Sequence, residues 1–447
     1  MQRLLGIDES KIRKVMQDGE IQSVSIAAGT DLNHITAIEI NNDDAEKTEQ
    51  VLANAIYGAA SLTKPVFTYL ALTLIGQENF QLNTQLHEIL PFRDFCNKFK
   101  IIWDDTKENQ ARVQQFNPDM ILSHQTGLPI GYNPASGPLK FDFEPGEGFG
   151  YSGLHMMYLQ ECLEIKFKLP LEALAEQYVF RLAGMTHTSF NNPIANAANS
   201  LHTTAEDYVR FCLHWMHDQN PNVQAAFKSK VSMRDDPWAV REEIPLNTLN
   251  HLDWGYGWGL EKNDEGDIIS AFHTGDMGEW RAGVKLDLND KSVKVFFSRS
   301  NFENGHLLQD QILGRSYALD YFFDKFKFAR TPDELKEDWR VNPSFGIRKY
   351  WDITDDQMAR SSFGQGSNTA KTLAEGQTTT AKLLSGAIKH QATSSSKQET
   401  IPKKKNDSVN DKEKSIVSKS EAKSDQATKP SYHSPSPFST KYKPTKK

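Results

Sequence analysis

Ala59-Ala60-Ser61-Leu62-Thr63-Lys64-Pro65 opens the apolar run VFTYLALTLIG, residues 66–76, and its reading decides the fold. Small residues lead into a helix that tolerates Pro65, because the first amides of a helix have no intrahelical acceptor. Ser61 is placed to cap that helix. Residues i and i+3 share a helix face, so the Lys64 amine lies one turn from the Ser61 hydroxyl. If burial lowers its pKa, the amine can accept the serine proton, and the positive helix end favours the alkoxide. Ser-x-x-Lys alone says little, since Ser394…Lys397 and Ser420…Lys423 also match it inside a polar segment of low complexity. Context separates the three.

Outward from this segment, three others follow in order. Leu122-Ser123-His124-Gln125-Thr126-Gly127-Leu128-Pro129 ends a helix in a Gly turn. Phe143-Glu144-Pro145-Gly146-Glu147 leads into Phe149-Gly150-Tyr151-Ser152-Gly153, and Phe272-His273-Thr274-Gly275 opens a late hairpin region. Further out, the β-branched runs 21–30 and 34–40 flank a polar turn, and 282–288 and 292–298 flank Asn289-Asp290-Lys291, so each pair predicts a hairpin. Helical patterns fill the middle, including 153–165 and 171–184, and 306–326 continues after the last strand. The expectation is an α+β body: an antiparallel sheet built from both ends, helices packed on it, and a mostly helical insertion.

These segments together resemble the serine beta-lactamase and penicillin-binding-protein family. The likeness is greatest to its class C beta-lactamase, DD-peptidase and esterase branch, whose signatures are S-x-x-K, Y-x-N and K-T-G or H-T-G. Leu182-Ala183-Gly184-Met185 with Thr188, the run from Ser200 to Asp207, and Gly255-Tyr256-Gly257-Trp258-Gly259-Leu260 add to the resemblance, which spans roughly residues 20–325. It implies a beta-lactamase/transpeptidase-like fold with Ser61 as the acylated nucleophile. Lys64 and Tyr151 would move its proton to the leaving group, and water would release the acyl group. The backbone N–H groups of Ser61 and Asp276 would form the oxyanion hole, and His273, Thr274, Gly275 and Gly153 would contact substrate.

Two departures shift the expected substrate. Gly153 stands where the pattern has Asn, removing a side-chain amide that would hold a substrate amide. His273 replaces Lys, and an imidazole is mostly neutral at pH 7, so carboxylate recognition weakens unless Arg281 compensates; a neutral His273 would still donate a hydrogen bond. The expectation is a serine hydrolase acting on esters or D-amino-acid-containing amides. The alternatives are a catalytically weak penicillin-binding-like module localised by its tail, and a true beta-lactamase.

Composition bounds the rest. The chain has 447 residues, 38% of them hydrophobic, enough for a sizeable core. From Ser361 onward there are sixteen Lys and no Arg against seven Asp and Glu, a net +9 that leaves −16 before it within the total of −7. An acidic body therefore carries a basic tail, and we place the boundary at 355/356. Residues 356–447, rich in Lys, Ser and Thr, read as disordered. They would tether an anionic membrane or a protein; nucleic acid is not the expected partner, and the substrate is a small molecule or peptide. Cys96, Cys162 and Cys212 show no CxxC spacing. His214 and His217 stand at i and i+3 without a third ligand pattern, and no Gly-rich phosphate loop occurs, so neither metal nor cofactor is expected. With no apolar leader in the first twenty residues and no run of membrane-spanning length, the default location is cytoplasmic, with non-Sec export left open.

Overall fold

Strand β1 (Ile21–Gly29) is buried along nearly its whole length, although it belongs to an antiparallel sheet, so both of its faces are covered. The computed structural model describes residues 6–42, 54–190, 195–236, 244–300, 302–314 and 316–326. Within these, β1 pairs on one side with β2 (Ile35–Asn41) and on the other with β10 (Val293–Ser300), which joins the two ends of the body. The short strands β3 (Tyr57–Gly58) and β4 (His202–Thr203) pair with each other. Then come β5 (Val231–Ser232), β6 (Leu252–Trp254), β7 (Gly259–Lys262), β8 (Ile268–Met277) and β9 (Trp280–Asp287). The main sheet has eight strands in the order β2-β1-β10-β9-β8-β7-β6-β5, all neighbours antiparallel.

Helices cover both faces. Helix α1 (Glu9–Asp18), capped by Asp8, buries Ile12, Val15 and Met16 in one cluster with Val24, Ile26, Phe296 and Leu308. The opposite face carries the larger cluster, contributed by α2 (Thr63–Leu74), α3 (Leu154–Phe167) and α4 (Ala205–His217) with Ala27, Val295 and Phe297. Helix α5 (Tyr317–Phe326) closes a third cluster through Ala318 and Tyr321, together with Phe149, Trp254 and Phe272. The residues between β2 and β5 are mostly helical, as the sequence predicts.

Several boundaries move. Residues 171–184 form two short helices around a π turn, Glu176–Phe180. The segment 306–326 breaks between Leu308–Ile312 and α5. Ser61 does not cap α2: it sits in a 3₁₀ turn, Ala60–Leu62, and Leu62 holds the cap position without a side-chain bond. No helix among the described residues is long and apolar enough to cross a membrane. The tail 356–447 and the 355/356 boundary lie outside the described residues.

Candidate active site

The turn that presents Ser61 is held in an unusual shape. Ala60 has φ +46°, a left-handed conformation that costs a non-glycine residue on the order of 1 kcal/mol, and it stands immediately before the serine. Hydrogen bonds on both sides fix the turn: Ala59 N–H donates to Leu201 O at 2.7 Å, and Leu201 N–H donates to Thr63 Oγ1 at 3.0 Å. Strand β8 closes against it from the sheet. A Cβ on Gly275 would lie 2.6 Å from Ala59 O, so only glycine allows that approach.

Lys64 is 3% exposed, with Nζ 3.1 Å from Ser61 Oγ and 2.8 Å from the Ala198 carbonyl oxygen. No ion pair of Lys64 occurs among the described residues. Burial therefore acts unopposed and lowers its pKa from 10.5 to about 7, where a large share is neutral amine near pH 7. The Tyr151 ring lies 4.7 Å from Nζ. Its hydroxyl is buried and forms no hydrogen bond of good geometry, although Ser61 lies close enough to act on its proton affinity. Burial raises the phenol above its ordinary value, and Ser61 opposes this in part.

Three buried imidazoles complete the surroundings. His124 stacks on Tyr151 at 4.6 Å and 20°, and its Nδ1 accepts the Ser152 N–H at 3.0 Å, which places its proton on Nε2. His155 lies 4.6 Å from His124 and is tied to Thr126 at 2.8 Å. The His273 ring is 5.9 Å from Tyr151, and its Nδ1 lies 2.8 Å from Thr274 O. A carbonyl oxygen only accepts, so His273 Nδ1 carries the proton and Nε2 is a bare, buried acceptor. Burial first, then the Lys64 charge, pushes His273 and His155 down to about 3; His124 is likewise held well below its ordinary value by burial and by His155, Lys64 and His273.

The structure thus brings Ser61, Lys64, Tyr151, His273 and Gly275 into one contiguous site. Gly153 lies at the head of α3, where a Cβ would stand 3.2 Å from Ala198 Cβ and 3.3 Å from Ile130 O. Two expectations are corrected. His273 cannot donate from its ring as placed, because its one N–H is spent on Thr274. Arg281 does not compensate either: it is 0% exposed, its Nε lies 3.4 Å from Asp276 Oδ2, and its Nη1 donates to Gly278 O and Trp280 O at 2.8 Å. Asp276 is also met by His306 Nε2 at 3.1 Å. Arg281 holds Asp276 below the ordinary carboxylate range against the opposing effect of burial.

Other sequence candidates divide. Trp254 walls the site beside His124, Tyr151 and His273, whereas Tyr256 bonds to Asp119 and Trp258 packs on Trp215. Glu279 pairs with Arg299 at 2.6 Å, and Trp280 covers Tyr57 and Gly58. His214 Nε2 meets Tyr69 Oη, and His217 Nδ1 bonds to Leu213 O. The Ala198 carbonyl escaped the sequence reading, which quoted His124 and Thr63 as members of motif segments but gave them no role. For Ala198 no local signal existed, since it meets Lys64 from 134 residues away.

Comparison with known proteins places this geometry. A protein-family model described as Beta-lactamase matches residues 9–318. No curated protein matches the chain significantly. Among solved structures, an octameric penicillin-binding protein homologue from Pyrococcus abyssi superposes with TM-score 0.55 at 14% identity, over 71% of this chain and 79% of that one. A D-stereospecific amidohydrolase from Streptomyces sp. gives 0.52 at 12% identity, over 69% and 100%. A D-alanine carboxypeptidase from Burkholderia cenocepacia gives 0.50 at 15%, over 68% and 97%. At these identities the likeness is one of fold.

Proposed function

This chain belongs to the beta-lactamase family, and on that premise we propose that it is a serine hydrolase forming an acyl-enzyme on Ser61, with neutral esters or D-amino-acid-containing amides as substrates. The observation that carries the reading is the Lys64 amine, buried, without an ion-pair partner among the described residues, and 3.1 Å from Ser61 Oγ. In the amine form, Nζ can take the serine proton as Oγ attacks the acyl carbon, while an N–H continues to donate to Ala198 O. The tetrahedral oxyanion would be met by the Ser61 and Asp276 backbone N–H groups. Collapse breaks the bond to the leaving group, which receives the proton by way of Lys64 and Tyr151. Water, deprotonated by the same pair, then cleaves the acyl-enzyme and returns Ser61.

Substrate charge follows from the third motif. His273 Nε2 offers an acceptor where the common Lys offers a cation, and Arg281 is committed to Asp276. Both features disfavour a free substrate carboxylate. Two of the structural relatives are named as a D-stereospecific amidohydrolase and a D-alanine carboxypeptidase, which supports keeping such amides beside esters.

A panel of short-chain esters, D-amino-acid amides and penicillin or cephalosporin reporters tests this, with kcat/KM expected to fall in that order. A beta-lactam turned over faster than every ester, or turnover unchanged in Ser61→Ala, would refute it. For the Lys-rich tail, the net +9 supports a tether to an anionic membrane or a protein partner. Co-sedimentation with anionic vesicles should fall as salt rises, and binding equal at low and high salt would exclude the electrostatic tether.

A further inference from the structure

We infer that Gln160 is a positioning residue for Lys64, acting through the segment 195–200 whose Ala198 carbonyl accepts from Nζ; the inference rests on reading Lys64 as the base for Ser61. Gln160 lies in α3, 6% exposed, and uses both ends of its amide on that segment. Its Oε1 accepts the Ala197 N–H at 2.8 Å, and its Nε2 donates to Ala195 O at 3.1 Å and to Glu164 Oε1 at 3.2 Å. Within the segment, Asn196 Oδ1 accepts the Ala198 N–H at 2.7 Å, and Ser200 Oγ takes the Asn196 N–H at 2.7 Å and donates to Phe190 O at 2.8 Å.

The consequence is geometric. A lysine has four rotatable side-chain bonds and a compact charge, so the position of its nitrogen depends on the acceptors around it. Lys64 has two such contacts, Ser61 Oγ and Ala198 O, and only the second is a main-chain atom that can act as a fixed post. The post is fixed by Gln160 from one side and by Asn196 from within. Helix α3 begins directly after Tyr151-Ser152-Gly153, and the missing side chain at Gly153 admits Ala198, whose Cβ would be 3.2 Å from a Cβ there. One helix therefore sets both the phenol and, through Gln160, the acceptor of the amine. A loosened segment would let Nζ swing off Ser61 Oγ without altering the cleft that binds substrate, which separates kcat from KM.

The test is the rate at which a fluorophosphonate labels Ser61, read by intact mass beside steady-state ester hydrolysis, in full-length protein. Gln160→Met keeps the volume and removes all three hydrogen bonds of the amide, two of them to the segment; labelling and kcat should fall about tenfold or more while KM stays within about twofold. Labelling and kcat within about twofold of wild type in a cooperatively melting Gln160→Met protein would overturn the inference. If Gln160→Met does not fold, Asn196→Ala removes a single acceptor at Ala198; its labelling should fall about threefold or more, and Asn196→Asp, which keeps that acceptor, should restore it. Equal rates for Asn196→Ala and wild type would overturn it as well. Wild type that takes no label removes the reading of Lys64 and Ser61 on which the clamp depends, whereas wild type and clamp variants labelled alike remove the clamp alone.

Discussion

Lys64 and Arg281 are both cations carried into the interior, 3% and 0% exposed, Lys64 near His273 of β8 and Arg281 opposite Asp276 of the same strand. Arg281 is met by Asp276, with His306 behind it and two carbonyl oxygens on its Nη1. Lys64 is met by a hydroxyl and a carbonyl, with the neighbouring imidazoles neutral. Similar burial is met differently. Arg281 sits against a carboxylate and two carbonyl oxygens, while Lys64 has no ion-pair partner among the described residues and burial lowers its pKa to about 7.

The comparison breaks first at Ser61→Ala, which should abolish ester turnover while the melting curve is unchanged; residual turnover at the wild-type rate would remove the nucleophile. Next, Lys64→Met and Tyr151→Phe should each lower kcat by about 10²- to 10⁴-fold, measured on the same ester. The two cations should then part in stability. Arg281→Met leaves the Asp276 carboxylate with His306 as its remaining side-chain partner and should cost on the order of 3 kcal/mol in denaturant melts. Lys64→Met should stabilise at pH 6. The folded pKa of Lys64 lies below its ordinary 10.5, so the penalty for burying the ammonium is fully present below about 7 and fades as pH rises from there toward 10.5. The gain in Tm should accordingly shrink between pH 6 and pH 10; a Tm loss at pH 6 would mean the ammonium is better compensated than its contacts indicate. The smallest effect is expected for Gly153→Asn, which crowds Ala198 and Ile130 O and should cost about 1–3 kcal/mol and slow acylation, with no gain on beta-lactam reporters.

Much of this was legible because it is local or periodic. Ser61 and Lys64 are three residues apart, the hairpin runs are β-branched stretches about polar turns, and Gly275 follows His-Thr. The sheet joining 21–29 to 293–300 was legible as strands at both ends, though their pairing register was not. The Arg281–Asp276 pair could have been found: a two-residue connection, Gly278-Glu279, between β8 and β9 sets 276 opposite 281 on one face. The reading of Arg281 as a substrate cation failed because proximity along the chain was used without that register. The Ala198 carbonyl and Gln160 were not legible. A main-chain acceptor has no residue identity, and its partner lies far away in sequence. Tautomers also depend on contacts, so the loss of a donor at His273 appears only when Thr274 O is placed 2.8 Å from Nδ1.

The central claim is that a neutral Lys64 activates Ser61, and the most direct measurement is the pH dependence of fluorophosphonate labelling, followed by intact mass in wild type and Ser61→Ala. The account predicts a single adduct, absent from Ser61→Ala, whose rate rises with an apparent pKa near 7. A rate that is flat from pH 5 to 9, or an adduct that persists in Ser61→Ala, would contradict it.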